Sequence, residues 1–178
     1  MTIQIKRAMT DFDHPLEMLA VCHERIEARC ETLRRLAAHL PVHGCDAQAQ
    51  QAASNVMRYF DSAGRHHRED EERDLFPVMI AAAQGENAER IALLVGQLAH
   101  EHREMEKLWL GLRDALESIA HGENAPLDAI EVSRFCGMYR AHMAMEEANL
   151  FPLAELLLET GALTELGKAM AKRRGVKT

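Results

Sequence analysis

The sequence lacks an excess of positive charge. Its 178 residues include 21 Lys and Arg against 28 Asp and Glu, which gives a formal net charge of -7. A surface that binds nucleic acid or an anionic membrane needs an excess of basic side chains facing the phosphates. The sequence therefore predicts neither partner, and its one basic cluster, Lys172–Arg174 with Lys177, predicts a solvated tail.

Long hydrophobic runs are also missing. No apolar stretch approaches the roughly 20 residues that a membrane-spanning helix needs. The N-terminal residues include Lys6 and Arg7, but no hydrophobic segment follows them, so we expect no export signal. Both absences favour a cytoplasmic protein.

Cysteine pairs with the spacing of metal or redox motifs are absent as well. The four cysteines, Cys22, Cys30, Cys45 and Cys136, form no C-x-x-C motif. Cys22 and Cys30 would lie about 12 Å apart along one helix, beyond the reach of a disulfide bond. We expect reduced thiols in a reducing cytoplasm, with Cys30 as a small core residue.

What the sequence does contain is helical periodicity. With 47% apolar residues the chain can bury one substantial core, so we predict a single domain over residues 1–178. Apolar residues recur at alternating steps of three and four in four long segments, which is typical of helices that pack at a shallow angle. The predicted fold class is all-α: an up-and-down antiparallel four-helix bundle over about residues 15–158, with a short C-terminal helix over 162–174.

Pro, Gly and capping residues predict the helix boundaries. The first helix begins at Asp13-His14-Pro15 and ends at Leu40–Gly44. The remaining predictions are a second helix from Asp46 as N-cap to Leu75, which Pro77 bends or interrupts before Ala83, a loop at Gln84–Asn87, a third helix ending at His121-Gly122, and a fourth from Pro126 to about Gly161.

Two segments of the chain share one motif. His67 and Glu71 precede Leu75-Phe76-Pro77, and His142 and Glu146 precede Leu150-Phe151-Pro152 in the same register. Residues four apart on a helix lie on one face, so each His and its Glu could act together as metal ligands. The two segments predict two ligand pairs that face each other.

Two further histidines fall within the apolar seams. His23 and His102 occupy positions where the pattern calls for Leu, and aligning them makes the chain an approximate duplication of one helical hairpin. Because buried polar groups and carboxylates need a compensating partner, four imidazoles and two carboxylates in one layer favour bound metal ions. The alternative is that each His forms a hydrogen bond to a neighbouring helix and that each His-x-x-x-Glu is a surface pair, but the repeated pattern favours metal.

The other histidines are weaker candidates. His66 and His100 are rotated by roughly 100° and 200° from His67 and His102, so we expect them to point away or to support the ligands. Those at helix ends or in loops, which we expect to be solvated, are His14, His39, His43 and His121.

The motif set resembles the hemerythrin-like, HHE cation-binding family over about residues 15–158. This resemblance implies a non-haem di-iron centre in a four-helix bundle, with His23, His67, Glu71, His102, His142 and Glu146 as ligands and both carboxylates bridging the irons. The oxygen carriers of the family have a further His four residues after the third-helix ligand and an Asp in the last motif. Here Glu106 and Glu146 stand at those positions, which resembles the iron-centre repair branch and argues against stable oxygen transport.

Several details of the site stay open at this stage. Glu27 and Glu106, four residues after His23 and His102, are either additional ligands or exposed flanking residues. Imidazole and carboxylate suit iron or manganese, zinc could also occupy the site, and roughly two coordination positions would stay open. Residues one turn or less from the ligands, which could orient them, are Glu72, Glu147, His66 and Tyr139.

Two functions are compatible with this sequence. The first is a stand-alone protein that binds or senses oxygen, nitric oxide or iron. The second is a di-iron redox enzyme of nitrosative or oxidative stress defence, acting on a diatomic molecule or peroxide, or a protein of iron-sulfur cluster repair. The repair proteins it resembles often carry an N-terminal cysteine-containing module, which the sequence from Met1 does not show. The sequence does not decide whether the protein is an enzyme, which protein partners it has or how it assembles.

Overall fold

A computed structural model of the chain describes residues 12–176. All regular secondary structure within this range is helical, which confirms the all-α class. The elements in chain order are α1 (Pro15–His43), α2 (Ala47–Tyr59), a π-helical turn (Phe60–Gly64), α3 (Arg65–Asp70), a second π-helical turn (Glu71–Leu75), α4 (Phe76–Ala82), α5 (Glu86–Ala120), α6 (Ala129–Met145), a third π-helical turn (Glu146–Leu150), α7 (Phe151–Leu157) and α8 (Thr160–Arg173).

Consecutive elements form longer helical units over residues 15–43, 47–82, 86–120, 129–157 and 160–173. The predicted start and end of α1 agree with the structure: Pro15 lies in its first turn, and Gly44 ends it with a φ of 69°. The second unit is capped by Asp46 as predicted, because its carboxylate accepts a hydrogen bond from the Ala49 amide at 2.8 Å.

Other boundaries differ from the prediction. The fourth unit begins at Ala129 rather than at Pro126, because the Asp128 carboxylate accepts the Ile130 amide at 2.7 Å and caps the helix there. α5 begins at Glu86, inside the segment predicted to be a loop. The fourth unit ends at Leu157, and Gly161 lies within α8, so the helix end predicted at Gly161 is wrong.

The two shared motifs each contain a π-helical turn that sequence periodicity does not predict. In the second turn the Phe76 amide donates to the carbonyl of Glu71, and in the third the Phe151 amide donates to that of Glu146. The next residue is proline in both cases, Pro77 and Pro152, and proline lacks the amide that would continue the regular pattern. Each π turn therefore begins at the motif glutamate and widens the helix at that point.

Helices α1 and α5 each pack against α2 and α6, which arranges four helical units around a common core. That core has two apolar clusters. The Phe135 cluster includes Ile26, Cys30, Leu33, Phe60, Trp109, Leu116 and Phe135. The Leu98 cluster includes Leu19, Leu75, Met79, Leu98, Leu150 and Met170. Along each of the first four units a motif or seam histidine lies between residues of one cluster and residues of the other, so a polar layer separates the clusters.

The C-terminal helix contacts the body of the molecule near the first motif. Arg173 and Arg174 both pair with the fully buried carboxylate of Asp70, the latter at 2.6 Å. The prediction that Lys172–Arg174 forms a solvated tail is therefore wrong for the two arginines, because a buried carboxylate needs a cationic partner. Lys177 lies outside the described residues. So do residues 1–11, which belong to the N-terminal segment on which the export-signal prediction rests.

Over the range that the structure describes, we find no helix with the length and apolar character needed to cross a bilayer.

Candidate metal centre

All six predicted ligand residues meet in the polar layer between the two apolar clusters. Each has an exposed fraction of 4% or less. They form two overlapping groups, and within each group the candidate ligand atoms lie within 4.8 Å of one another. One group contains His23 and His67, the other contains His102 and His142, and Glu71 and Glu146 belong to both.

Each carboxylate lies between two imidazoles from different groups. The Nε2 atoms of His67 and His102 lie 3.1 and 3.2 Å from the two oxygens of Glu71. Those of His142 and His23 lie 3.2 Å from the two oxygens of Glu146. Each carboxylate therefore presents one oxygen to each group.

The far sides of three imidazoles are oriented by further carboxylates. The Nδ1 atoms of His23, His102 and His142 lie 2.7, 2.9 and 2.8 Å from carboxylate oxygens of Glu147, Glu72 and Glu101, respectively. Because an ionised carboxylate only accepts, Nδ1 carries the proton of a neutral ring. When the ring is neutral the lone pair is on Nε2, which faces the centre, and this is the tautomer that binds metal. Without metal, burial opposes protonation of His23 and His142, but their contacts with Glu146 outweigh it and raise the pKa of both rings.

Each motif supports the seam histidine of the other half of the chain. From the first motif, Glu72 forms a hydrogen bond with His102 and Phe76 stacks on the same ring at 5.9 Å. From the second motif, Glu147 and Phe151 do the same for His23, with a ring separation of 5.4 Å. The prediction that Glu72 and Glu147 support the ligands is thus in agreement with the structure, and the repeated Phe has a role that spacing alone does not suggest.

His67 differs from the other three candidate histidines in the contacts of its Nδ1 atom. Within the described part of the chain, His67 Nδ1 has no hydrogen-bond partner. Its counterpart His142 is held by Glu101, the residue before His102, whereas the residue before His23 is Cys22. The duplication therefore lacks one orienting carboxylate, and the two ligand groups are not equivalent.

The unpaired atoms at the centre are those that a cation would satisfy. Both oxygens of Glu71 and of Glu146, and Nε2 of His23 and of His142, have no well-formed hydrogen bond among the described residues. Buried polar atoms left without a partner are costly, and buried carboxylates more so. Nitrogen lone pairs and carboxylate oxygens converging on the same space fit a divalent metal ion by their chemistry.

The pKa values of the two carboxylates are shifted in opposite directions. Burial, together with the nearby Glu146, raises the pKa of Glu71 well above its usual value. Burial opposes ionisation of Glu146 too, but its close contacts with the imidazoles of His142 and His23 hold its pKa below the ordinary range. Burial also lowers the pKa of His67, so that its ring is neutral. Two carboxylates this close repel each other when both are ionised, and a cation between them would offset that repulsion.

The remaining candidates lie outside the two groups. Glu27 pairs with Arg140 at 2.7 Å and Glu106 with Arg68 at 2.9 Å, and both carboxylates are partly exposed. Their role as flanking, exposed residues fits these ion pairs better than a role as ligands. Tyr139 packs against the Phe135 cluster, where burial raises its pKa. Sequence reasoning missed Glu101, since its partner is 41 residues away on another helix.

A cavity of about 380 Å³ has one candidate ligand, His102, in its lining. The lining combines aromatic side chains with basic and acidic ones. Its lining includes Phe60, Arg65, Arg68, His102, Trp109 and Tyr139. A cavity of this size can hold a small molecule beside His102.

The comparisons with known proteins agree with this geometry. The family described as "Hemerythrin HHE cation binding domain" matches residues 14–154. A curated protein of Haemophilus influenzae, described as an uncharacterized protein, is 30% identical over 166 residues, which covers 93% of each chain. The chain therefore belongs to the hemerythrin HHE cation-binding family.

Proposed function

We propose that this protein binds two iron ions within an up-and-down antiparallel four-helix bundle. His23 and His67 would hold one ion and His102 and His142 the other, while Glu71 and Glu146 would bridge them. The observation that carries the proposal is the sharing of both carboxylates, because each presents one oxygen to each group. If these side chains only formed hydrogen bonds with one another, their buried oxygen and nitrogen atoms would be paired. At the centre, the carboxylate oxygens of Glu71 and Glu146 have no well-formed hydrogen bond among the described residues.

The order of the clusters along the chain supports the proposed topology. Residues 15–43 and 86–120 run from the Leu98 cluster through the histidine layer to the Phe135 cluster. Residues 47–82 and 129–157 run in the opposite order. Consecutive units thus alternate in direction, as an up-and-down bundle requires.

The ligand set favours iron or manganese over a structural zinc site. It contains imidazole and carboxylate and no thiolate, and zinc would be an occupant in a purified sample rather than the native metal. A bound pair of irons supplies open coordination positions and one-electron redox chemistry. The residues of this chain hold the imidazoles in the binding tautomer and leave a cavity at His102 for a small ligand.

We propose that this ligand is oxygen or nitric oxide, which the protein binds or senses, or that the protein handles iron itself. The same site in a redox enzyme of stress defence or cluster repair would turn over a diatomic molecule or peroxide. Rapid mixing of the reduced, anaerobically purified protein with oxygen separates these functions. A persistent charge-transfer band that disappears on removal of oxygen supports binding. Immediate irreversible oxidation contradicts it and favours the enzyme.

Metal content tests the ligand assignment directly. We expect His67→Ala and His142→Ala each to lose at least one metal ion per chain, because each removes a nitrogen donor and leaves buried carboxylates unpaired. His100→Ala is the matched control, since His100 is exposed on α5, two residues from His102. Elemental analysis that finds the wild-type stoichiometry in both ligand variants would contradict the assignment.

A further inference from the structure

The cavity beside His102 is larger than a diatomic ligand needs. Its volume of about 380 Å³ lies within the roughly 300–1,000 Å³ range of sites that hold small organic molecules. Oxygen and nitric oxide are close to a water molecule in size, and a water takes up about 30 Å³ of the liquid. The cavity therefore has space for a larger ligand, whose chemistry the lining side chains indicate.

Two helical segments form the long walls of this cavity. The second helical unit contributes residues three or four positions apart, which share one face of a helix: Asp61, Gly64, Arg65 and Arg68. The lining residues from α5 recur at similar steps, and they are His102, Met105, Glu106, Trp109, Leu110 and Arg113. Phe60 and Tyr139 complete the lining, with ring centroids 5.6 Å apart. The cavity is thus a groove along α5 with aromatic rings in its wall.

Both acidic side chains of the lining already have cationic partners. The Asp61 carboxylate accepts from Trp109 Nε1 at 3.0 Å and from Arg113 Nε at 2.9 Å. The Glu106 carboxylate accepts from both terminal nitrogens of Arg68, at 2.9 and 3.1 Å. Each carboxylate therefore has both oxygens bonded, and one arginine balances the charge of each.

Arg65 is the third arginine of the lining, and no carboxylate balances it. Its side chain is exposed and forms no hydrogen bond or ion pair with any residue of the described range. Two carboxylates and three guanidinium groups leave the lining with one positive charge, which is that of Arg65. A guanidinium presents its N–H donors in a fork that fits a carboxylate.

Gly64 supports the aromatic wall of the cavity. Its backbone is helical, with a φ of -64°, so the conformation does not require glycine, and glycine within a helix costs stability. A Cβ atom at this position would lie 3.2 Å from Cδ1 of Phe60, closer than ordinary van der Waals contact. The missing side chain therefore allows the Phe60 ring to keep its place in the cavity wall.

We propose that this cavity binds a small aromatic carboxylate, with Arg65 as its anion partner. The planar body of the ligand packs against the rings of Phe60 and Trp109, where its apolar surface is removed from water. Its carboxylate accepts from the Arg65 guanidinium, for which no described side chain competes. An inorganic anion would leave the aromatic wall unused, and an uncharged ring would leave Arg65 unpaired.

This site goes beyond the proposed function and does not depend on it. Phe60, Arg65 and Trp109 belong to neither ligand group of the candidate metal centre. Binding can therefore be measured on the protein as purified and again on the zinc-loaded protein. Failure of the carboxylate site and failure of di-iron binding then give separate results.

The test is a fluorescence titration of the full-length protein with benzoate. Trp109 is the single tryptophan of the chain, so its emission reports on the cavity. We expect a saturable change with a Kd of roughly 0.1–1 mM, which suits a ligand of so few atoms. Benzamide has the same shape without the charge, and acetate has the charge without the ring, so each should bind about tenfold more weakly or less.

Two results of this titration would overturn the proposal. One is the lack of a saturable response to benzoate up to roughly 10 mM, tenfold above the weakest expected Kd. The other is binding of benzamide or acetate as tight as that of benzoate, because the site would then not select for a charged ring.

Two pairs of variants locate the bound benzoate. Arg65→Gln should weaken its binding about tenfold, whereas Arg58→Gln, at an exposed arginine of α2 outside the lining, should not change it. Leu110→Glu brings a negative charge to the lining and should also weaken binding. Its matched control is Leu93→Glu, since Leu93 is likewise exposed on α5 but lies outside the lining.

These variants also separate the cavity from direct coordination to a metal ion. A carboxylate held by the metal alone does not need the Arg65 guanidinium. Benzoate binding that is unchanged in both Arg65→Gln and Leu110→Glu would therefore overturn the proposal, whether the ligand lies on the metal or on another surface.

Discussion

Glu101 is the orienting carboxylate of His142, and it offers a test that leaves every metal ligand in place. Its oxygen accepts from His142 Nδ1 at 2.8 Å, and its side chain is 25% exposed. We expect Glu101→Ala to weaken binding of one metal ion by roughly 10- to 100-fold, because the ring loses the partner that fixes its tautomer. Competition with a chromophoric chelator measures this affinity.

The matched control for Glu101 is Glu104→Ala, on the same helix. Glu104 pairs with the exposed Lys107 at 2.6 Å, and we expect its replacement to leave both metal affinities unchanged. Equal affinities in the two variants would show that the contact between Glu101 and His142 does not position the ring.

Glu71 illustrates a conflict between function and stability. Because burial and Glu146 raise its pKa in the folded state, Glu71 lowers the stability of the metal-free fold increasingly as the pH rises above its unfolded pKa. We expect Glu71→Gln to stabilise the metal-free protein by about 1–2 kcal/mol, since the new amide can donate to an Nε2 lone pair. Thermal unfolding in a chelator measures this, and the gain should be larger at mildly alkaline than at mildly acidic pH.

With metal added the order of stability should reverse, because an amide at position 71 cannot bridge two ions as a carboxylate does. Glu72→Gln, one residue along and 39% exposed, is the control and should change metal-free stability much less. A lower melting temperature for Glu71→Gln in chelator would mean that the carboxylate does not destabilise the fold without metal.

At this scale, spacing in the sequence is sufficient to find the residues that meet at the centre. His67 with Glu71 and His142 with Glu146 share a helix face, and that relation holds wherever a helix forms. The partner of His142 cannot be found this way, because Glu101 lies on a separate helix and the pairing depends on how α5 and α6 pack. Likewise, only the structure shows that His67 Nδ1 has no hydrogen-bond partner among the described residues. Cys22 stands at the position that corresponds to Glu101 and provides no carboxylate.

Among the elements, the π-helical turns explain how the motifs position their glutamates. Both turns begin at a candidate ligand and end before a Phe-Pro pair. Sequence periodicity predicts only regular helix, and Pro77 by itself predicts a bend. The structure has a widened turn instead, in which the Phe amide bonds to the glutamate five residues earlier rather than to the residue four earlier.

Asp70 is the fully buried carboxylate among the acidic groups that pair with α8, beside Asp74 and Glu69. Asp70 pairs with both Arg173 and Arg174, and it is the last residue of α3, directly before the second π-helical turn. We expect Asp70→Asn to lower the free energy of unfolding by about 3 kcal/mol, because it leaves two poorly exposed guanidinium groups without this charged partner. Urea denaturation measures the loss.

Glu165→Gln is the control for this prediction, since Glu165 also lies on α8 but is 73% exposed and pairs with Lys168. Its effect should stay within about 0.5 kcal/mol. Comparable losses in the two variants would contradict a specific role of Asp70 in holding α8.

For the whole molecule, composition and periodicity predict the helical class, and the seam histidines together with the motifs predict one polar layer of six side chains. What the seams do not reveal is that this layer divides the core into two separate apolar clusters. The same applies to α8, whose basic residues resemble a solvated tail until Asp70 is seen to be buried beneath them.

This layered arrangement leads to a prediction about metal removal. Each of the four long helical units contributes at least one ligand candidate: His23, His67 with Glu71, His102, and His142 with Glu146. The described residues of α8 contribute none. A metal that binds only the folded chain stabilises it by about 4 kcal/mol at a concentration roughly 1,000 times its dissociation constant. Chelation should therefore lower the melting temperature of the whole bundle in one cooperative transition.

Hydrogen exchange followed by mass spectrometry would resolve this effect by segment. We expect chelation to reduce protection most around the ligand positions in all four units at once, because the metal ions link them across the core. Protection of α8 should change less, since none of its described residues belongs to either ligand group. Loss of protection confined to a single unit would mean that the metal ions do not join the four units, and would contradict the shared role of Glu71 and Glu146.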